Sequence, residues 1–317
     1  MSLKMYNGVK IPIIGLGTWQ STNEDELEAA LDTALTIGYR HIDTAAAYRN
    51  EKCIGKVLRK WFDAGKLKRE DIFITTKLSP EQIHPDLVES ALKDSLEKLQ
   101  LEYVDLYLMH FPMHMKLIDP LKPWDMLDTD YLDVWKKMEE QVDCKRARTI
   151  GISNFGIEQM ERIMKNSRIK PANTQVELHL YFQQKELREY CRKNNIVVVS
   201  YSSLGSPGAP DYFKKIGRTV PVPNILGDPV VCAVAKKYKR TPSQIILSYL
   251  TQNDIVVIPK TVKPERLQEN FDILDIILDS DDLTALENLD KGTAGRIFDM
   301  THINPKIKEH VHYPFEK

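Results

Sequence analysis

GYRHIDTAAAY, residues Gly38–Tyr48, decides how the rest of the chain is read. A helical pattern of apolar residues stops at Gly38, and a short strand-like run follows from Tyr39 to Ile42. The run ends on a carboxylate, Asp43, with a phenol, Tyr48, five residues further on and a new helical pattern after that. A strand that delivers a carboxylate and a phenol before the next helix has the layout of an active-site rim. Working outward from it, Lys77 and His110 end two later strand-like runs in the same way.

The unit around this stretch recurs along the chain. Asn7-Gly8 marks a small hairpin within Met5–Ile14, since this dipeptide favours tight hairpin turns. Ser21-Thr22-Asn23-Glu24 reads as a capping box, and the helix after it places Leu27, Ala30, Leu31, Ala34 and Leu35 on one face. Gly38 supplies the left-handed residue at its end. Strands are predicted at Ile13–Leu16, Arg40–Asp43, Ile72–Lys77, Tyr103–His110, Arg148–Ser153, Ala172–Glu177, Ile196–Tyr201 and Ile255–Ile258, with amphipathic helical segments between them. Short apolar strands alternating with helices imply a parallel sheet. Eight such units close a (β/α)8 TIM barrel, so the predicted fold is α/β, one domain over residues 1–317 with an N-terminal β-hairpin. Phe111–Asp130, Gly205–Pro229 and the tail after Lys291 exceed ordinary connections. They are expected on the C-terminal face, where such barrels carry their chemistry.

Bulk composition narrows the function. The 317 residues include 44 basic and 45 acidic side chains, a net charge of −1, without the basic excess that nucleic-acid or membrane-surface binding needs. Cys53, Cys144, Cys191 and Cys232 are scattered; in a chain this long they read as reduced thiols of a cytoplasmic protein. No charged start followed by a long apolar run suggests a signal peptide, and no apolar run approaches the ~20 residues of a membrane helix.

Asp43, Lys77, His110, Ser153, Gln175, Tyr201 and Lys260 all fall at or just past a strand's C-terminal end. Each alone has a plain explanation: Asp43 could cap a helix, Lys77 could reach solvent, His110 could be a hydrogen-bonded structural residue, and Tyr48 could be ordinary packing. Gathered in one barrel mouth, converging titratable groups mark a site.

GLGTW at Gly15–Trp19, GYRHIDTAAAY at Gly38–Tyr48, MEEQVDCKRARTIGISNF at Met138–Phe155 and IPKTVKPERLQEN at Ile258–Asn270 make the chain resemble the aldo-keto reductases over essentially its full length. The resemblance implies an NADPH-dependent reduction of aldehydes and ketones. Tyr48 would donate the proton that the alkoxide requires. An ordinary tyrosine pKa of about 10 is high for that, so the Lys77 cation is expected to lower it, with Asp43 holding Lys77 and a neutral His110 orienting the carbonyl. The resemblance further implies that NADPH/NADP+ is gripped by Ser153, Asn154 and Gln175 at the carboxamide and stacked on Tyr201. Its 2′-phosphate would be clamped by Lys260 and Arg266, with Thr261 and Val262 beside them and Glu269 and Asn270 at the adenine. Thr18, Trp19, Asp43, Ser202, Leu204 and Ser206 complete the implied cofactor contacts, and Gly205–Pro229 matches a loop that folds over the dinucleotide. Trp19, Tyr48, His110, Phe111, Phe298 and Met300 would line an apolar substrate pocket.

The chain departs from the family pattern at Phe111, where many relatives carry tryptophan, at Thr174 and at Leu180. These positions bear on substrate range. A dedicated ketosteroid or ecdysteroid reductase and a non-catalytic NADPH-binding barrel are the competing readings. Gly15-Leu16-Gly17 is a weak dinucleotide fingerprint, because Gln20 holds the third glycine position. His110 and His114 have the spacing of a helical zinc pair, but Pro112 separates them, so no metal is expected. The partner is expected to be a small carbonyl compound, and the protein a monomer.

Overall fold

A computed structural model describes residues 1–117, 123–302 and 304–315; residues 118–122 of the Phe111–Asp130 segment lie outside the described residues. The strands are β1 (Ser2–Lys4), β2 (Lys10–Pro12), β3 (Leu16–Gly17), β4 (His41–Asp43), β5 (Phe73–Leu78), β6 (Val104–Met109), β7 (His114–Lys116), β8 (Asp125–Leu127), β9 (Ala147–Ser153), β10 (Asn173–Glu177), β11 (Val197–Tyr201) and β12 (Ile255–Val257). Eight of them form one sheet in the order β3-β4-β5-β6-β9-β10-β11-β12, and every pairing between its neighbours is parallel. Single bridges from Ile14 to Val257 and from Gly17 to Lys260 join the first strand to the last. The sheet therefore closes on itself as the expected (β/α)8 barrel.

The first helix, Glu24–Ile37, buries Leu27, Ala30, Leu31, Ala34 and Leu35, the face that the spacing predicts. Its cap is Asn23, not Ser21: Asn23 Oδ1 accepts the Glu26 N–H at 3.2 Å. Ser21 is buried short of the helix, and its carbonyl accepts from Asn50. Gly38 ends the helix at φ 122°, donating its N–H to the Ala34 carbonyl. That backbone conformation disfavours any residue with a Cβ.

The hairpin is β1 against β2, starting nearer the terminus than predicted. It plugs the N-terminal end of the barrel. Met5 and Ile11 are buried, and Asn7 Nδ2 donates to Thr149 Oγ1 at 2.9 Å.

Two helices were not anticipated: Pro229–Tyr238, capped by Asp228, and Ser280–Glu287, capped by Asp279. The Gly205–Pro229 segment also carries a short helix, Ala209–Lys215. A second apolar cluster, separate from the main core, gathers Phe111 and Met113 from one long segment, Ala209 and Phe213 from another, and Phe298 and Met300 from the tail. The three segments thus meet over the same face, as predicted.

Candidate active site

Two strand ends and a turn carry the chemistry. β4 ends at Asp43 and β5 runs through Lys77, while Tyr48 follows β4 on a single 3-10 turn, Ala46–Tyr48. Side chains alternate along a strand, so His41 and Asp43 share one face, as do Thr75 and Lys77. Lys77 is fully buried, and its Nζ donates to Asp43 Oδ1 at 2.5 Å and to the Thr44 carbonyl at 2.8 Å. The same nitrogen lies 3.4 Å from Tyr48 Oη. An ammonium has three N–H donors and no acceptor, so these three partners use it completely. The Tyr48 hydroxyl must therefore accept from Lys77 and point its own hydrogen elsewhere.

Asp43 is held from both sides. Its Oδ2 accepts from Gln175 Nε2 at 2.7 Å, and its backbone carbonyl accepts from the Thr18 hydroxyl at 2.9 Å. Asn50 locks this corner, donating to the Thr18 carbonyl at 2.8 Å while accepting from the Thr44 hydroxyl at 2.8 Å. The network continues outward. Ser153 Oγ donates to the Gln175 carbonyl at 2.9 Å, Asn154 Nδ2 to the His110 carbonyl at 3.0 Å, and the Tyr201 hydroxyl to Asn154 Oδ1 at 2.7 Å. The His110 ring meets the Tyr48 ring edge-on at 5.8 Å and stacks on Phe111 at 5.3 Å.

Burial dominates the electrostatics of this centre and corrects one expectation. Burial, with Lys77 acting the same way, holds the His110 imidazole well below its ordinary pKa, so it is neutral near pH 7. The Tyr48 phenol is pushed well above its ordinary value, first by burial and then by the Asp43 carboxylate. Lys77 was expected to lower it. It does not prevail because its charge is already neutralised by Asp43 at 2.5 Å, while removing water from a phenolate is costly. Burial lowers the Lys77 pKa, and Asp43 opposes that shift.

The Gly17–Lys260 bridge sets Lys260 beside the strand end that carries Thr18 and Trp19. Partial desolvation holds the Lys260 ammonium below its usual range; Glu26 opposes this and a nearby cation, Lys215, adds to it. Arg266 is exposed on the helix Pro264–Phe271, which also bears Asn270 as a buried residue. Val262 is half-buried against the main core, as is Leu204. Thr261 Oγ1 accepts the Lys263 N–H at 3.1 Å. One Glu269 oxygen is occupied by the hydroxyls of Thr241 and Ser243, each at 2.6 Å, so only its other oxygen is open to an adenine. Ser202, Gly205 and Ser206 all have positive φ, and Ser206 Oγ donates to Ser202 Oγ at 2.6 Å.

Trp19 packs against Tyr212 at 5.1 Å and Phe298 at 5.6 Å, and Phe298 against Phe213 at 5.7 Å. Met300 is buried in the same cluster. Sequence reasoning missed Asn50, Glu177, Tyr212, Phe213 and His302. Asn50 stands at the N-terminus of a helix, where an asparagine reads as a cap. The aromatic pair lies in a segment without periodicity.

The family model described as aldo/keto reductase matches residues 13–291. An aldose reductase of Encephalitozoon cuniculi is 45% identical over 298 residues, spanning 91% of this chain and 93% of that protein. Aldo-keto reductase family 1 member C18 of Rattus norvegicus is 40% identical over 324 residues, with 99% and 97% covered. Among solved structures, the aldose reductase of Schistosoma japonicum superposes with a TM-score of 0.88 at 37% identity, covering 100% of this chain and 99% of that one. An aldo-keto reductase complexed with NADPH gives 0.88 at 38% identity, covering 100% and 94%.

Proposed function

The chain belongs to the aldo/keto reductase family, and from that premise we propose that it reduces aldehydes and ketones to alcohols with NADPH, Tyr48 giving the proton. The single observation carrying this reading is the saturated Lys77 ammonium, whose partners leave the Tyr48 hydrogen free to face the mouth. NADPH, when bound, supplies the hydride. Tyr48 stays protonated until the carbonyl oxygen becomes basic, which is what a proton donor requires. Lys77, 3.4 Å from Oη, then stabilises the phenolate as it forms and not before. A neutral His110 offers a second donor, an N–H, to the same oxygen without adding a charge that would hold the alkoxide as an anion.

The residues present fit the cofactor. Ser153, Asn154 and Gln175 form a hydrogen-bonded row suited to a carboxamide. Positive-φ Ser202 and Ser206 bracket a tight turn, closed by the Gly205 N–H donating to the Ser202 carbonyl at 2.7 Å, of the kind that cradles anions. Lys260 and Arg266, with Lys215 close to Lys260, gather cations for a 2′-phosphate. The aromatic lining around Trp19, Phe111 and Phe298 suits an apolar carbonyl compound. We further propose a monomeric, cytoplasmic enzyme, and among the described residues no helix is long and apolar enough to cross a membrane.

The test is NADPH consumption with a panel of small aldehydes, aromatic ketones and ketosteroids, for the wild type and Tyr48→Phe. The variant should lose roughly 10²–10⁴-fold in turnover while binding NADPH as before. Undiminished turnover would remove Tyr48 from its role. Turnover confined to ketosteroids would favour the dedicated reductase, and none on any carbonyl despite tight NADPH binding would favour the binding barrel.

A further inference from the structure

We propose that Glu177, which touches no reacting group, is the positioning residue that sets the substrate-side wall and with it the preference between bulky and small carbonyl compounds. The inference rests on the reading of the chain as a carbonyl reductase.

Glu177 is the last residue of β10, paired in register with Tyr201 and two residues past Gln175 on the same strand face. Its carboxylate is buried, yet it points neither to a cation nor to the Lys77 centre. Oε1 accepts the Ile297 N–H at 2.6 Å and Oε2 accepts the Phe298 N–H at 2.9 Å. His179 Nε2 lies 3.1 Å from Oε1. One carboxylate thus fixes two consecutive amides of the tail, and hydrogen bonds to a charged acceptor are the strong ones.

The place of these amides gives the grip its consequence. Upstream, the tail is pinned to the loop that follows β10: Lys291 N–H donates to the Tyr181 carbonyl at 3.0 Å. Gly295 passes so close to that carbonyl that a Cβ there would sit 1.9 Å from its oxygen. Glu177 is the last anchor before the tail turns across the mouth. The next side chain, Phe298, meets Trp19 at 5.6 Å, Tyr201 at 6.4 Å, Phe213 at 5.7 Å and His302 at 6.3 Å. Phe298 is therefore the wedge among a strand end that carries site residues, the helix Ala209–Lys215 and the tail, and its backbone is aimed by Glu177.

Glutamine at 177 keeps the size but turns one oxygen into an N–H₂ facing a backbone N–H, so one of the two amides must let go. The experiment measures kcat and KM of wild type, Glu177→Gln and Glu177→Asp for a small aliphatic aldehyde and for a bulky bicyclic ketone, together with NADPH affinity and hydrogen exchange at Ile297 and Phe298. Expected for Glu177→Gln is a change of at least tenfold in the bulky-to-small ratio of kcat/KM, carried by KM for the bulky ketone. kcat for the small aldehyde and NADPH affinity should stay within about twofold, and exchange should speed up at the two amides but not in the barrel strands. Glu177→Asp keeps the charge, so it should lie between the two; it also carries the test alone if the glutamine variant does not fold. In Phe298→Ala the effect of the substitution at 177 on the ratio should vanish, because both act through one ring. An unchanged ratio, or a uniform loss on both substrates, would overturn the inference and leave Glu177 a structural residue. A wild type that reduced no carbonyl would instead remove the reading beneath it.

Discussion

Lys77→Met removes the cation next to the Tyr48 oxygen while nearly keeping the buried volume. Two effects follow from the structure, and they separate. The first acts on the reaction: a full charge pair at 3.4 Å attracts by about 5 kcal/mol at an effective dielectric of about 20. Only part of that charge develops in the transition state, and Asp43 offsets part of the cation, so a turnover loss of roughly 10²–10³ is expected. The second acts on stability: the variant strands the buried Asp43 carboxylate with Gln175 as its remaining side-chain donor, and breaking a buried pair from one side costs about 3–5 kcal/mol. Adding Asp43→Asn removes the stranded charge and should return most of the stability but none of the turnover. The assay is urea unfolding alongside steady-state carbonyl reduction for the two single variants and the double. If Lys77→Met reduced carbonyls within tenfold of wild type, the cation would have no part in proton donation. If the double variant recovered turnover along with stability, the loss would have been structural.

Lys260→Ala combined with Arg266→Ala should weaken NADPH far more than NADH, each lost phosphate contact being worth about 1.5–3 kcal/mol; equal weakening, read by titration of both cofactors, would place the phosphate clamp elsewhere. His41 is buried in the barrel with Nε2 3.1 Å from Thr75 Oγ1, and burial holds its pKa down to about 4 against about 6.5 in the unfolded chain. The unfolded state therefore takes up the proton first, so stability should be full above pH 6.5 and fall as the pH drops, by about 3 kcal/mol once below 4. Urea midpoints at two pH values should show a shallower slope in His41→Gln, and an identical slope would acquit His41. Asn23→Ala should cost about 1 kcal/mol through loss of the first helix cap, whereas Ser21→Ala should leave that cap intact; the reverse order in thermal melts would contradict the observed capping.

The barrel could be read from the letters because its evidence is periodic. The Leu27-Ala30-Leu31-Ala34-Leu35 face repeats at helical spacing, and such patterns survive tertiary context. Polar residues at the same strand phase, Asp43, Lys77 and Gln175, were legible for the same reason, and they do join in one network. Contacts between segments far apart in sequence were not. Nothing in the residues around Glu177 says that its partners are the amides of Ile297 and Phe298, and nothing in Tyr212 says that it meets Trp19. The sign of the Tyr48 shift was misjudged because proximity to a cation is readable from a motif, but dehydration of the phenol is not. The cap fell on Asn23 because the chain stays non-helical past Ser21, a boundary that three successive cap-competent residues, Ser21, Thr22 and Asn23, leave open.

The seam between Ile14 and Val257 and between Gly17 and Lys260 has a consequence during synthesis. Its two sides lie far apart along the chain, so the cylinder cannot shut until the last strand has left the ribosome. Until then Leu16 and Val198 border open sheet edges, and unpaired edges invite other chains. Joining such distant segments is also slow. A message interrupted ahead of residue 255 would yield not a smaller enzyme but an unclosed, sticky sheet, a substrate for chaperones and proteases.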